Sequence, residues 1–298
     1  MPQLTQARAP LVRELAVMNE FGDQHKVYIP DERALTVYVD KRELVTLMTL
    51  GAHPEWLVLG YLRNQRLVAS VEELEAISVD WDVSAAAVKT RHGIADIESR
   101  TSTRVVTTGC GQGSIFGDLM ADVDTIVLPP ATLTQADLYS IVNAIRLHES
   151  IYRVAGSVHG CALFKGAEML MFVEDVGRHN AIDTIAGWMW LQGDSMTGAD
   201  KVFYTTGRLT SEMVIKAAQM GVPIVVSRSG ITQMGHQVAN QLGLCAIGRA
   251  TSRRFLCFSA PQRLVLQPEL AGERPLVEVT ARRHRVVSGN YDLTSSAS

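Results

Sequence analysis

Val202-Phe203-Tyr204, Ser211 to Met220, Ile224-Val225-Val226, Thr232 to Leu242 and Leu244 to Ile247 follow one another with only short connections. The three short runs read as buried strands, because strands covered on both faces lose the apolar–polar alternation of a half-exposed sheet. The two longer segments have helix length and clear stops. Gly221 is placed to cap the first with Pro223 just beyond, and Gly243 ends the second. Strand–helix–strand–helix–strand at this rhythm predicts an α/β unit of three layers, with helices packed on the faces of a sheet.

Working upstream, Thr134-Gln135-Ala136-Asp137 is placed to cap a helix in which Leu138, Ile141, Val142 and Ile145 share one face. Two β-prone runs follow, Ala162-Leu163-Phe164 and Met169 to Val173, with a turn at Lys165–Glu168 between them. A helix from about His179 to Trp190 then buries Ile182, Ile185 and Ala186. Pro129-Pro130 marks a boundary. Before it, Leu35, Val37 and Val39 alternate with Thr36, Tyr38 and Asp40 as in a half-buried strand, and Asp40–Glu43 turns the chain back through Leu44 to Met48. Pro54 opens a helix carrying Trp56, Leu57, Leu59 and Leu62. Ser70-Val71-Glu72-Glu73 has capping-box spacing and predicts a second brief helix. Ile77–Val79 and Val83–Val88 read as further strands, whereas residues 1–20 show no periodicity and read as a loosely held arm. The expected organisation is a smaller α+β domain over 1–130, an α/β domain over 131–264 and a polar extension over 265–298. In that extension, Arg282-Arg283-His284-Arg285 reads as a solvated run and 288–298 as a disordered tail.

Of the 298 residues, 47% are hydrophobic and 20% charged, and the net charge is −3. A large core is expected, and the dispersed Lys and Arg leave no nucleic-acid footprint. The first fifteen residues lack the apolar core of a signal peptide, and no apolar run approaches the roughly 18 residues of a membrane span. Cys110, Cys161, Cys245 and Cys257 are widely separated, with no C-x-x-C pair and no zinc-finger spacing, which points to a reducing cytoplasm.

Four places carry candidate chemistry. Thr107-Thr108-Gly109-Cys110-Gly111-Gln112-Gly113-Ser114 sets one thiol among three glycines. Such a loop lets free N–H groups surround a thiolate, and it reads equally well as a plain turn. Glu174-Asp175-Val176-Gly177-Arg178-His179-Asn180-Ala181-Ile182-Asp183 is the densest polar cluster, at a strand-to-helix junction where open α/β sheets place their sites. Here Asp175 is expected to cap the helix, Gly177 to let the turn approach a bound group, and Arg178 and His179 to hold an anion. Gly207-Arg208-Leu209-Thr210-Ser211-Glu212 and Ser227-Arg228-Ser229-Gly230-Ile231-Thr232 lie at the next two junctions. Each alone reads as well as ordinary N-capping as it does as a phosphate or nucleotide site, but in succession beside 174–183 they favour one anion-binding rim. Arg249, Arg253 and Arg254 follow the last strand on the same side. His159 precedes a strand and is more often a structural residue. A zinc deaminase site would require His-x-Glu and Pro-Cys-x-x-Cys, which are missing, and no Walker A or G-x-G-x-x-G motif is present.

The 174–183 run resembles the EDVGRHNA-x-D hallmark of the formate dehydrogenase accessory sulfurtransferases, the FdhD family. Gly207-Arg208 with Ser211-Glu212-Met213-Val214 and Lys216-Ala217 is similar to a second segment of that family, and the similarity runs from about Pro30 to Leu264. The resemblance implies a cytidine-deaminase-like α/β domain without zinc. It also implies relay of sulfur from a cysteine desulfurase, as a persulfide, to the bis-guanine-dinucleotide molybdenum cofactor that formate dehydrogenase needs. Cys110 would be the carrier, and Gly113 stands where the family has a second loop cysteine, so no internal disulfide step is expected. Arg249, Ala250, Thr251, Ser252, Arg253 and Arg254 align with a cofactor-binding segment. The cofactor contacts are expected from these six with Asp175, Gly177, Arg178, His179, Gly207, Arg208, Ser229, Thr232 and His159. The rival reading is a non-catalytic chaperone for the cofactor, with Cys110 structural. A homodimer through the apolar helix Ile182 to Leu191, with Trp188 and Trp190, is the oligomer the pattern suggests.

Overall fold

The computed structural model describes residues 1–94 and 123–272. Two sheets dominate it. The first has strand order β1-β6-β7-β4-β5, built from Gln3–Leu4 (β1), Leu74–Asp80 (β6), Ala85–Thr90 (β7), Arg33–Val39 (β4) and Arg42–Thr49 (β5). The β4–β5 turn is only two residues long. Asp40 and Lys41 both take positive φ, 48° and 75°, the conformation that matches the twist of a tight hairpin. Ser70 and Glu73 form the full capping box, yet the helix they start is a single 3-10 turn, Val71–Glu73, that passes directly into β6.

Residues 1–20 are not a loose arm. Val12–Met18 (β2) pairs antiparallel with Gln24–Pro30 (β3), and Asn19 Oδ1 organises their turn by accepting from the amides of Phe21 and Asp23. Apolar residues such as Leu15, Met18, Tyr28 and Ile29 are exposed, so no alternation marks this hairpin in the sequence. A two-stranded ribbon is marginal on its own, and β3 lies against the short helix Ile151–Ala155 (α3).

The second sheet has the order β10-β9-β11-β12-β13-β14. Its strands are His159–Lys165 (β9), Glu168–Asp175 (β10), Lys201–Thr205 (β11), Ile224–Ser227 (β12), Cys245–Thr251 (β13) and Arg254–Cys257 (β14). β11, β12 and β13 run parallel, linked by Ser211–Gln219 (α5) and Gln233–Leu242 (α6). Gly221 and Gly243 take positive φ just past these helices, as their stop signals imply. Leu163, Phe203, Val225 and Ala246 face Arg178–Leu191 (α4), α5 and α6 in one core. Ala162, Phe164, Tyr204 and Val226 face Gln135–Leu147 (α2) in another. Helices on both faces make the three layers that the strand–helix rhythm predicts. Thr134 caps α2 by accepting from the amide of Asp137, a contact worth about 1 kcal/mol. A two-stranded pair, Leu133–Thr134 (β8) with Leu264–Val265 (β15), closes this side.

Between the sheets lie Pro54–Asn64 (α1) and α4, crossing at glycines. A Cβ on Gly60 would sit 1.7 Å from the Asp183 carbonyl oxygen, and one on Gly187 would sit 2.0 Å from the Trp56 carbonyl oxygen. Ile182, Ile185, Ala186 and Met189 are therefore buried within the chain. The apolar helix that suggested a dimer surface is covered by α1 and the second sheet, with Trp188 and Trp190 only partly exposed.

Candidate active-site cleft

The 174–183 cluster spends most of its polar groups inside the protein. Asp175 is buried, and Oδ2 accepts from Thr49 Oγ1 at 2.5 Å and the Leu50 amide at 3.1 Å. Its Oδ1 accepts from the Gly177 amide at 3.0 Å and Asn180 Nδ2 at 2.8 Å. Asn180 Nδ2 also donates to the Met48 carbonyl. These bonds clamp the end of β5 to the start of α4. The N-cap of α4 is Gly177 rather than Asp175. Glu174 accepts from the amides of Ile151 and Tyr152 at the start of α3.

Asp183 and Lys216 are fully buried and 2.8 Å apart, and Asn64 Nδ2 donates to the other carboxylate oxygen at 2.7 Å. Glu212 lies 3.5 Å from Lys216 and 3.3 Å from His179 Nδ1. Burial pushes the His179 pKa down, opposed by Glu212. These contacts fasten α1, α4 and α5 together, so Asp175 and His179 face the interior. Thr232 caps α6 through the Gly235 amide, and the Ser229 carbonyl accepts from the Arg249 amide.

The parallel strands end together, and the antiparallel strands bring His159 and Asp175 to the same edge. The register pairs Asp175 with His159 and Thr205 with both Cys161 and Ser227. Above this edge, between α2, α3 and the β13–β14 turn, lies a cleft of about 510 Å³. Its polar wall includes His159, Thr206, Arg228, Thr251 and Ser252, and its apolar wall includes Val142, Ile145, Phe172 and Tyr204. Ala250 also lines it, and Arg146 and Arg153 stand on the helical rim. The Gly160 amide is satisfied by Thr206 Oγ1, which holds β9 and β11 in register at the floor. Burial, then the charges of Arg178, His179 and Arg208, lower the His159 pKa. Burial pushes the Tyr204 phenol up to about 12.

The structure gathers His159, Ala250, Thr251 and Ser252 in one cleft, with Arg178 and Arg208 electrostatically coupled to its floor. Gly207 permits this coupling: a Cβ there would meet Arg178 Cδ at 3.0 Å, so the arginine stem lies directly over the glycine. Arg253 and Arg254 are exposed outside the cleft lining, as is Arg249. Arg146, Arg153, Phe172 and Tyr204 are cleft residues that periodicity hides, because each reads as an ordinary helix-surface or strand residue. Arg228 and Arg208 have no partner among the described residues, so their guanidinium groups are available to an anion. Cys110 and its loop lie outside the described residues.

A mixed sheet of six strands with helices on both faces, and a cleft at the carboxyl ends of its parallel strands, defines an α/β protein of the open-sheet kind. Within that class the chain belongs to the FdhD/NarQ family, whose model matches residues 30–265. It is 28% identical over 258 residues to a Staphylococcus aureus (strain MRSA252) protein named "Sulfur carrier protein FdhD", covering 86% of this chain and 95% of that one. The protein of the same name from strain JH9 is 27% identical over the same lengths. The crystal structure of a Desulfotalea psychrophila protein, described as a formate dehydrogenase accessory protein, aligns with a TM-score of 0.68 at 24% identity. It covers 86% of this chain and all of that one. The mixed α/β architecture is thus shared with a solved structure.

Proposed function

We infer that this chain is a sulfur carrier in the maturation of formate dehydrogenase, and that it acts as a sulfurtransferase in the cytoplasm. Cys110 takes the sulfane sulfur of a cysteine desulfurase persulfide and passes it to the bis-guanine-dinucleotide molybdenum cofactor, its acceptor substrate. In the first step the Cys110 thiolate attacks the terminal persulfide sulfur, one S–S bond breaks as another forms, and the desulfurase thiolate leaves. The exchange is redox-neutral and requires one cysteine, which agrees with Gly113 in place of a second. The observation that carries the reading is the cleft at the carboxyl edge of β11–β13. Arg228 stands there without a side-chain partner among the described residues, beside an apolar wall with Phe172 and Tyr204, and the charge of Arg208 acts on His159 at the floor. Dinucleotide phosphates suit the arginines, and the aromatic wall suits the bases. The order and direction of the six strands favour a cytidine-deaminase-like arrangement for this unit.

Incubation with a desulfurase and 35S-cysteine tests the relay: the wild type is expected to carry label that dithiothreitol removes, and Cys110→Ala none. Label retained by Cys110→Ala refutes it. Unlabelled wild type that still binds the guanine dinucleotide favours the rival reading, a chaperone that holds the cofactor without sulfur transfer.

A further inference from the structure

Cys245 opens β13 and Cys257 closes β14, at the sheet edge opposite the cleft. Ile247 pairs with Cys257 across these antiparallel strands. Cys245, two residues from Ile247, therefore projects from the same face as Cys257. The two Sγ atoms are 3.9 Å apart. Cys245 is fully buried, whereas Cys257 is partly exposed. Beyond Cys257 the chain stays tied to β13. Ser259 Oγ donates to the Leu244 carbonyl at 2.7 Å and accepts from the Ala246 amide at 3.1 Å.

We propose that Cys245 and Cys257 are a reversible dithiol–disulfide pair, in which Cys257 reacts first with a low-molecular-weight disulfide and Cys245 resolves it. Three features carry this assignment. The thiols are in contact, and only one of them is accessible, which sets the order of attack. Closing the sulfurs from 3.9 Å to the roughly 2.05 Å of a disulfide needs movement, and β14 can supply it. It is a four-residue strand that, among the described residues, has a neighbour on one side only. The thiol of Cys245 lowers the Cys257 pKa to about 7. Their shared hydrogen bond, then burial, push Cys245 upward. The accessible sulfur is thus the better nucleophile at neutral pH.

The steps balance. The Cys257 thiolate attacks one sulfur of the small disulfide and releases one thiolate, giving a mixed disulfide. That thiolate takes the Cys245 proton, and the Cys245 sulfur displaces the second small thiolate. The protein dithiol loses two electrons and two protons, and the small disulfide becomes two thiols. The product would join β13 to β14 and fix the turn that carries Thr251 and Ser252 to the cleft.

The test uses the full chain with Cys110→Ser, which removes the loop thiol from the reaction. The protein is equilibrated with oxidised and reduced glutathione, quenched with alkylating reagent, digested and analysed by mass spectrometry without reduction. A Cys245–Cys257 cross-linked peptide, two hydrogens lighter than its reduced components, is expected in oxidising buffer and reverts in reducing buffer. Adding Cys245→Ser should leave Cys257 as a stable glutathione mixed disulfide. The proposal is overturned if both thiols stay free in fully oxidised glutathione. It is also overturned if glutathione accumulates on Cys257 with Cys245 present, or if either sulfur pairs instead with Cys161.

Discussion

Replacing Gly187 by alanine sets two known effects against each other at the α1–α4 crossing. In a helix interior, alanine is favoured over glycine by about 1 kcal/mol. At this position its Cβ would lie 2.0 Å from the Trp56 carbonyl oxygen, whereas real Cβ contacts are not closer than 3.0 Å. The helices must separate by about 1 Å, because the obstructing atom is backbone and has no rotamer to adopt. Separation loosens the contacts that join the two helices there: Asn64 to Asp183 and Arg63 to the Ala186 carbonyl. Overpacking of this kind costs about 1–3 kcal/mol and sometimes more. With an unyielding carbonyl the upper end applies, so the net loss should be about 2 kcal/mol. For a urea m-value of about 2 kcal/mol/M, the unfolding midpoint falls by about 1 M. Equilibrium urea unfolding, followed by tryptophan fluorescence and by far-UV circular dichroism, measures this directly. An unchanged or raised midpoint with unchanged m would mean that the helices do not cross in backbone contact, and that reasoning would fail.

Asp183→Asn leaves the buried Lys216 ammonium with the longer 3.5 Å contact to Glu212 and should destabilise by about 3 kcal/mol, the low end for a broken buried pair, while Asp183→Leu with Lys216→Met should recover much of that loss in a double-mutant cycle. The His179 pKa is lowered in the fold from an ordinary value of 6.5. The unfolded chain therefore binds the proton first as pH falls, and stability is lost below about pH 6.5. His179→Gln should flatten the unfolding free energy measured between pH 7.5 and 5.5, and an unchanged slope assigns the dependence elsewhere. Arg228→Ala should weaken guanine-nucleotide binding about tenfold or more by calorimetry, as expected for a lost charge-assisted hydrogen bond. Because the side chain is exposed, stability should change by no more than about 0.5 kcal/mol.

What was legible in the sequence is what neighbours along the chain decide. Gly221, Gly243, Pro54 and Thr134 end or begin helices through contacts within a few residues, so their reading carried over to the structure nearly position for position. The strand edge that carries the cleft was legible for the same reason, since strand-to-helix punctuation locates it at 207–212 and 227–232. Residues 1–20 were not legible, because a ribbon exposed on both faces leaves no periodic trace.

The choice of partners belonged to the tertiary structure. Asp175 looked like a helix cap facing a ligand, but its carboxylate reaches Thr49 and Leu50, more than 120 positions earlier. His179 and Asp183 are likewise committed to Glu212, Lys216 and Asn64. Nothing local distinguishes a carboxylate aimed at an anion-binding rim from one closing a buried clamp, because the difference lies in what packs against it. The same holds for two cysteines twelve residues apart with no motif between them: the β13–β14 hairpin alone brings their sulfurs together. From the chain itself came the elements, their order and the edge where a ligand site belongs. Long-range packing decided which polar residues on that edge remain open to a ligand and which hold the two sheets together.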